Sequence, residues 1–454
     1  MNKRIESDSL GEVRVPLNAL YGAQTQRAVE NFPISGLHLQ KPFIVFLALI
    51  KKNAALVNRD IGLVDKNISE AIVKAAREVI DGKHDKEFVV DVFQTGSGTS
   101  TNMNMNEVIA RRANQILSGE KDPAILLVHP NDHVNLCQSS NDIMPSALNI
   151  SLAYLIERDL LPSLNKLKEA LDNKSKQFSG IKKLGRTHLQ DAVIMTLGDE
   201  FSGYSDQIKK SIERLNEVKN YLLDLSIGGT AVGTGINAHP DFAAKVIDKI
   251  ATDTGIAFRE TENHFASQAS QDSSAAVSGV FNTIAISLTK IANDIRWLSS
   301  GPRAGLGEIN LPPVQPGSSI MPGKVNPVIP EAVLQVSAQL AGNDATVSLA
   351  ARGGNFELNT MIPVIAYNII QSATILSAAA GVFADKCIKE ITANKDKCDS
   401  YIEKSLDMAV KLIPYIGYDK ASDIAKKAYE QDKTVREVTA ESGILTDKQI
   451  KEIW

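Results

Sequence analysis

Residues 275–298 read AAVSGVFNTIAISLTKIANDIRWL. Val280, Ile284, Leu288, Ile291, Ile295 and Leu298 recur at intervals of three and four, the spacing that gathers side chains on one face of an α-helix. Small or apolar residues also occupy the other sides between Ala275 and Ile295, and a helix apolar all round has to be buried on all sides. One subunit does not supply that many neighbours, so a central helical bundle completed by other copies of the chain is expected. The same period runs through Leu148, Leu152 and Leu155 and continues in Leu160, Leu164, Leu167 and Leu171, with a kink or break expected at Pro162. Long helices dominate the middle of the chain.

The ends differ. Roughly the first 40 residues mix a short β-type run, Glu12 to Val15, with turn residues Gly11, Pro16, Gly22 and Pro33, and helix is expected only from about Phe43. From about Ile391 the chain becomes charged and short-helical, with Gly417 and Gly443 as breaks. At 454 residues it is long enough for about two to four domains, and the expected division is 1–138, 139–390 and 391–454. A net charge of −4 provides no global field for nucleic acid or an anionic membrane. Cys137, Cys387 and Cys398 lack the paired spacing of zinc or redox motifs. The first ten residues have no apolar core of secretory length, and no later contiguous apolar run approaches about 18 residues, so a cytoplasmic protein is expected.

Four polar stretches carry the chemistry. In Gly317-Ser318-Ser319-Ile320-Met321-Pro322-Gly323-Lys324-Val325-Asn326-Pro327 the glycines let the backbone turn N–H groups toward an oxyanion, leaving Ser318 as a reactive oxygen. A serine ahead of a helix is also an ordinary N-cap, and an apolar-periodic helix follows from about Glu331. Lys324 and Asn326 favour the reactive reading, because both stabilise negative charge and a cap needs neither. Gln94-Thr95-Gly96-Ser97-Gly98-Thr99 offers hydroxyl and backbone donors for a small anion, and it lacks the Gly-Lys-Ser/Thr ending of a nucleoside triphosphate loop.

His129-Pro130-Asn131-Asp132-His133 carries two histidines four apart, but Pro130 works against the regular helix that would aim both at one metal, so carboxylate-binding donors are expected. It runs into Gln138-Ser139-Ser140-Asn141-Asp142. Gly185-Arg186-Thr187-His188 holds a histidine suited to proton transfer, which Glu331 would orient if the fold brings the two together; a satisfied structural histidine is the alternative.

Together, in this order, these stretches resemble the class II fumarases of the aspartase/fumarase superfamily, over about Tyr21 to Gly417. Tyr21-Gly22-Ala23-Gln24-Thr25-Gln26-Arg27, the run Gly228 to Gly235, and Gly354-Asn355-Phe356-Glu357-Leu358-Asn359 extend the likeness. The Gly-Ser-Ser-x-Met-Pro loop is common to the superfamily, whereas aspartases, the alternative, typically carry Gln at the place of His188 and Ala at that of Gly323.

The resemblance implies a mainly all-α, three-domain fold with a central long-helix bundle, assembled as a homotetramer around a twenty-helix core. It further implies active sites shared between subunits, so that a lone monomer is inactive. The activity implied is reversible hydration of fumarate to (S)-malate through an aci-carboxylate. Ser318 is then the base at C3, Lys324 and Asn326 hold the charge, and His188 with Glu331 manages the water at C2. Ser97, Gly98, Thr99, Ser139, Ser140, Asn141, Thr187, Ser319 and Val325 complete the dicarboxylate site, and His129, Pro130, Asn131 and Asp132 form a second one. No metal or organic cofactor, nucleic acid or membrane is called for. Upstream of His129, where the family often has an arginine, this chain reads Ile125-Leu126-Leu127-Val128. The stretch His264 to Ser274 also departs from the family and carries no functional reading.

Overall fold

A computed structural model describes residues 3–119 and 126–454. Among them are seventeen α-helices and five two-stranded sheets. The N-terminal stretch forms a hairpin, β1 (Lys3–Asp8) and β2 (Gly11–Pro16), paired antiparallel with Arg4 opposite Val15. It is followed by α1 (Ala23–Asn31), α2 (Lys41–Asp60), α3 (Lys66–Ile80) and α4 (Thr99–Leu117). The expectation of irregular chain up to about Phe43 therefore fails at α1. That helix is held from afar: the Glu107 carboxylate on α4 accepts from the N–H groups of Gly22, Gln24 and Thr25 at 2.9, 2.9 and 3.1 Å. Those are the donors a helix start leaves unpaired, and no local residue signals their partner.

Next come α5 (Ser140–Leu155) and α6 (Leu161–Gln177), joined by a π-helical turn, Ile156–Leu160. The break expected at Pro162 takes this form. Pro162 has no N–H for the carbonyl one turn back, and the preceding N–H, that of Leu161, reaches Ile156 O instead. A second hairpin, β3 (Lys182–Thr187) and β4 (Gln190–Thr196), precedes α7 (Leu197–Val218), α8 (Phe242–Thr254), α9 (His264–Ala269), α10 (Asp272–Leu298), α11 (Val328–Ala351) and α12 (Ile362–Lys386).

The chain folds into two compact units, each assembled from three separate stretches of sequence. The first comprises Met1–Pro162, Ser211–Ala285 and Val336–Ala378. Its core is centred on α2, which packs against α3, α5 and α8 and fully buries Phe43, Leu47 and Ile50. The second comprises Ser163–Lys210, Ile286–Gln335 and Ala379–Trp454. Phe178, Phe201 and Tyr204 stack edge to face within it, and its C-terminal helices enclose their own cluster, Leu412, Ile424, Val435 and Ile450.

The apolar surround of residues 275–298 is only partly covered within one chain. Ile286 on α10 is 65% exposed and Leu349 on α11 is 67% exposed. Two helices, Asp272–Leu298 and Ile362–Glu390, are long and apolar enough to cross a membrane by length and composition. Their apolar residues are interrupted by Ser, Thr and Asn, so no contiguous run signals them, and core helices buried on every side have the same composition.

Candidate active site

In the first unit, α4 begins at Thr99 behind Gly98, whose φ of +78° belongs to the left-handed region. That backbone geometry favours glycine, and a Cβ there would also press on the flexible tip of Met144, 2.4 Å from its Cε. The turn aligns a row of hydroxyls: Ser97 Oγ lies 2.8 Å from Thr99 Oγ1, which lies 2.6 Å from Ser140 Oγ. Ser140 opens α5, and Ser139 caps it, accepting from Asn141 N–H at 3.2 Å while its own N–H donates to Asp142 Oδ1 at 2.9 Å. Asn141 donates to Ala231 O at 2.8 Å. Ser97, Gly98, Thr99, Ser139, Ser140 and Asn141 are thus gathered on two adjoining helix starts, where backbone N–H groups and helix dipoles favour an anion.

A buried polar network, which the sequence reading missed, supports them. Lys51, fully buried on α2, donates to Asn135 Oδ1 and Gln138 Oε1, both at 2.9 Å, and Asn102 and Asn106 from α4 also donate to Asn135 Oδ1. Burial lowers the Lys51 ammonium to about 7. Asp142, also fully buried, accepts from the N–H groups of Gly228 at 3.1 Å and Thr230 at 3.0 Å. Burial raises its carboxyl to about 6 against those bonds. Gln268, in the segment that carried no reading, donates to Thr230 O at 2.8 Å and so braces the same turn. Ser139-x-x-Asp142 was readable as a capping box; Lys51 beside Lys52 gave no signal.

His129 Nδ1 accepts from the N–H groups of Asn131 and Asp132 at 3.3 and 3.2 Å, ahead of the π-helical turn Pro130–Val134. His133 Nδ1 accepts from His129 N–H at 2.8 Å. His129 Nδ1 also lies 3.2 Å from Asp132 Oδ2, and among the described residues no group of three or more His, Cys, Asp and Glu is placed to hold a metal ion.

In the second unit, the Ser318 loop is exposed. Ser318 caps no helix, since α11 starts ten residues later; instead its Oγ accepts from the N–H groups of Ile320 and Met321 at 3.2 and 3.1 Å. The loop closes on itself through Gly317 N–H to Lys324 O at 2.9 Å and Asn326 Nδ2 to Gly317 O at 2.6 Å. A Cβ on Gly317 would lie 2.2 Å from Lys324 O, so only glycine allows this closure. Lys324, Val325, Asn326 and Glu331 line a cavity of about 640 Å³ together with Trp297 and Asn310. Ser318 and Ser319 lie outside that lining, as do Thr187 and His188.

His188 and Leu189 are the two turn residues of the β3–β4 hairpin, with Thr187 paired to Gln190. Both carry positive φ, +56° and +59°. Two-residue hairpins want this geometry, but Asn-Gly is its usual sequence, and a His-Leu pair held there stores strain of the kind found at working sites. The imidazole is exposed, and among the described residues no hydrogen bond joins it to Glu331 or to Ser318.

A family model described as lyase matches residues 11–342, and a second, described as the fumarase C C-terminus, matches 410–454. A class II fumarate hydratase of Halobacterium salinarum is 51% identical over 450 residues, covering 99% of this chain and 95% of that protein. One of Nitrosomonas europaea is 49% identical, covering 99% and 97%. The crystal structure of a class II fumarase from Schistosoma mansoni superposes with a TM-score of 0.93 at 41% identity, covering 100% of this chain and 98% of that one.

Proposed function

The chain belongs to the class II fumarate hydratases of the lyase family, and from that membership we propose that it catalyses the reversible addition of water to fumarate, giving (S)-malate. The observation that carries the mechanism is the pair of backbone N–H groups aimed at Ser318 Oγ. Hydrogen bonds to a charged form lower its energy, and two aimed amide donors are what an alkoxide base needs.

In the dehydration direction Ser318 Oγ takes the proton from C3 of malate, and the electron pair moves into the adjacent carboxylate as an aci-carboxylate. Lys324, Asn326 and loop amides hold that charge, each aimed donor contributing about 3 kcal/mol to the barrier. The pair then returns to form the C2–C3 double bond as the C2 hydroxyl leaves, protonated by His188 with Glu331 behind it. Ser97, Gly98, Thr99, Ser139, Ser140, Asn141, Thr187, Ser319 and Val325 hold the two carboxylates.

The scheme includes a cytoplasmic homotetramer of three-domain subunits with shared active sites, and a second dicarboxylate site at His129, Pro130, Asn131 and Asp132. The exposed apolar faces at Ile286 and Leu349 support association, as does the exposure of His188. A three-way assay tests the reaction: fumarate in water, fumarate with ammonium, and aspartate. Malate formation matched to fumarate loss is expected; ammonia release from aspartate exceeding malate turnover would refute it.

A further inference from the structure

Glu308 is a fully buried carboxylate that takes no part in the mechanism above. Its Oε1 accepts from Arg186 Nη2 at 2.7 Å, and its Oε2 lies 3.4 Å from Lys183 Nζ. Both cations belong to β3, three residues apart, on the strand that ends in Thr187 and His188. Lys183 is itself buried and also donates to Glu200. Arg186 stands opposite Asp191 in the hairpin register, with 3.9 Å between their charged atoms, so the guanidinium touches both strands.

The Glu308 backbone is equally fixed: its N–H donates to Leu298 O and its carbonyl accepts from Asn394 N–H, both at 2.8 Å. Tyr401, with Arg186 over its ring, donates to Leu306 O at 2.9 Å just upstream. Immediately downstream, Ile309, Asn310 and Leu311 run into the lining of the cavity shared by Lys324, Asn326 and Glu331.

We propose that Glu308 is a positioning residue for the hydration reaction: gripped by Arg186 and Lys183, its carboxylate locks the hairpin that presents His188 to the chain segment that walls the Lys324–Glu331 cavity. The physical need is plain at the tip. Two non-glycine residues in the left-handed region persist only where their surroundings over-determine them, and the charged anchor two residues before His188 supplies that constraint. Removing the carboxylate takes from Arg186 its nearest anionic partner and leaves Lys183 with Glu200 alone, so two neighbouring cations lose the charge held between them and the strand loosens.

The proposal rests on His188 acting in the reaction, so two readouts are needed. In the intact protein, Glu308→Gln is expected to lower kcat about 100-fold, the loss typical of a displaced catalytic group, with KM within threefold. Glu308→Asp, which keeps the charge, should recover at least tenfold of that. Arg186→Met should lose a similar amount, and the double variant should lose little more than either single one.

Independently of activity, amide hydrogen exchange at residues 186–190 should quicken in Glu308→Gln. A folded Glu308→Gln with kcat within threefold of the parent, or with unchanged exchange at the hairpin, would overturn the proposal. If that variant does not fold, Arg186→Lys decides: a tenfold fall in kcat is expected, and an unchanged kcat refutes. A parent protein that never hydrates fumarate sinks the functional reading instead, while the exchange measurement still judges the anchor.

Discussion

Around Ser139 to Asp142 hydrogen bonds run to several distant segments of the chain, whereas around Ser318 the bonds are few and confined to the loop itself. The first wall rests on Lys51, Asn102, Asn106, Asn135 and Gln138, with Asp142 fastened to the Gly228–Thr230 turn. The second is an exposed turn closed by Gly317, Lys324 and Asn326. A holder for substrate carboxylates has to keep its donors at fixed positions, and burial in a hydrogen-bonded network does that. A base that approaches a bound substrate and then releases it gains from a loop with little to break. On the proposed mechanism the two tasks are separated, with binding assigned to a core network and proton transfer to a surface loop.

Substitutions on the two walls should therefore fail differently. Of substitutions on the two walls, Lys324→Met is expected to act on turnover alone, with a fall in kcat of about 10²- to 10³-fold as for a lost oxyanion donor and an unmoved unfolding midpoint. Steady-state kinetics beside urea denaturation checks both halves; a shifted midpoint would mean the loop is part of the core. Asp142→Ala is expected to do the reverse first. It orphans the N–H groups of Ser139, Gly228 and Thr230, at about 1–3 kcal/mol for each one left dry, and should lower the unfolding free energy by several kcal/mol before any kinetic change is considered. A midpoint equal to the parent's would show that water reaches these groups and the wall is looser than described.

A smaller effect should appear with pH. Burial takes Lys51 from its ordinary 10.5 down to about 7. Between those values the unfolded chain binds a proton the folded chain does not, so this group's contribution to stability rises with pH across that window. The window of Asp142, raised from 3.8 to about 6, lies lower and runs the other way, its contribution falling as pH rises. In Lys51→Met the rise above pH 7 should be flattened. An identical slope in parent and variant would mean that Lys51 titrates as a solvated lysine.

The long helices were legible because their period is local: Val280, Ile284 and Leu288 announce α10 without help from any other segment. The glycine and serine loops stood out as candidate chemistry for the same reason, since turn residues and hydroxyls fall within a few positions, joined in residues 317–327 by Lys324. What escaped depends on remote partners. Helix α1 is capped by Glu107, more than 80 residues away, so its start carries no cap of its own. The His188 hairpin lacks Asn-Gly and takes its turn under constraint from Glu308, 122 residues from Arg186. Lys51 looks like a surface lysine at the end of an apolar stretch and becomes a core residue only because Asn135 and Gln138 fold onto it. Each case involves a buried charge whose partner lies far along the chain, which residue patterning cannot reveal.

The central claim is that the Ser318 hydroxyl, prepared by two amides and Lys324, is the base. Measuring kcat for fumarate hydration by the parent and by Ser318→Ala at equal oligomeric mass tests it most directly. Loss of the base should cost at least about 10³-fold, more than the 10² or so of an auxiliary acid–base group. A Ser318→Ala protein turning over within tenfold of the parent would contradict the assignment.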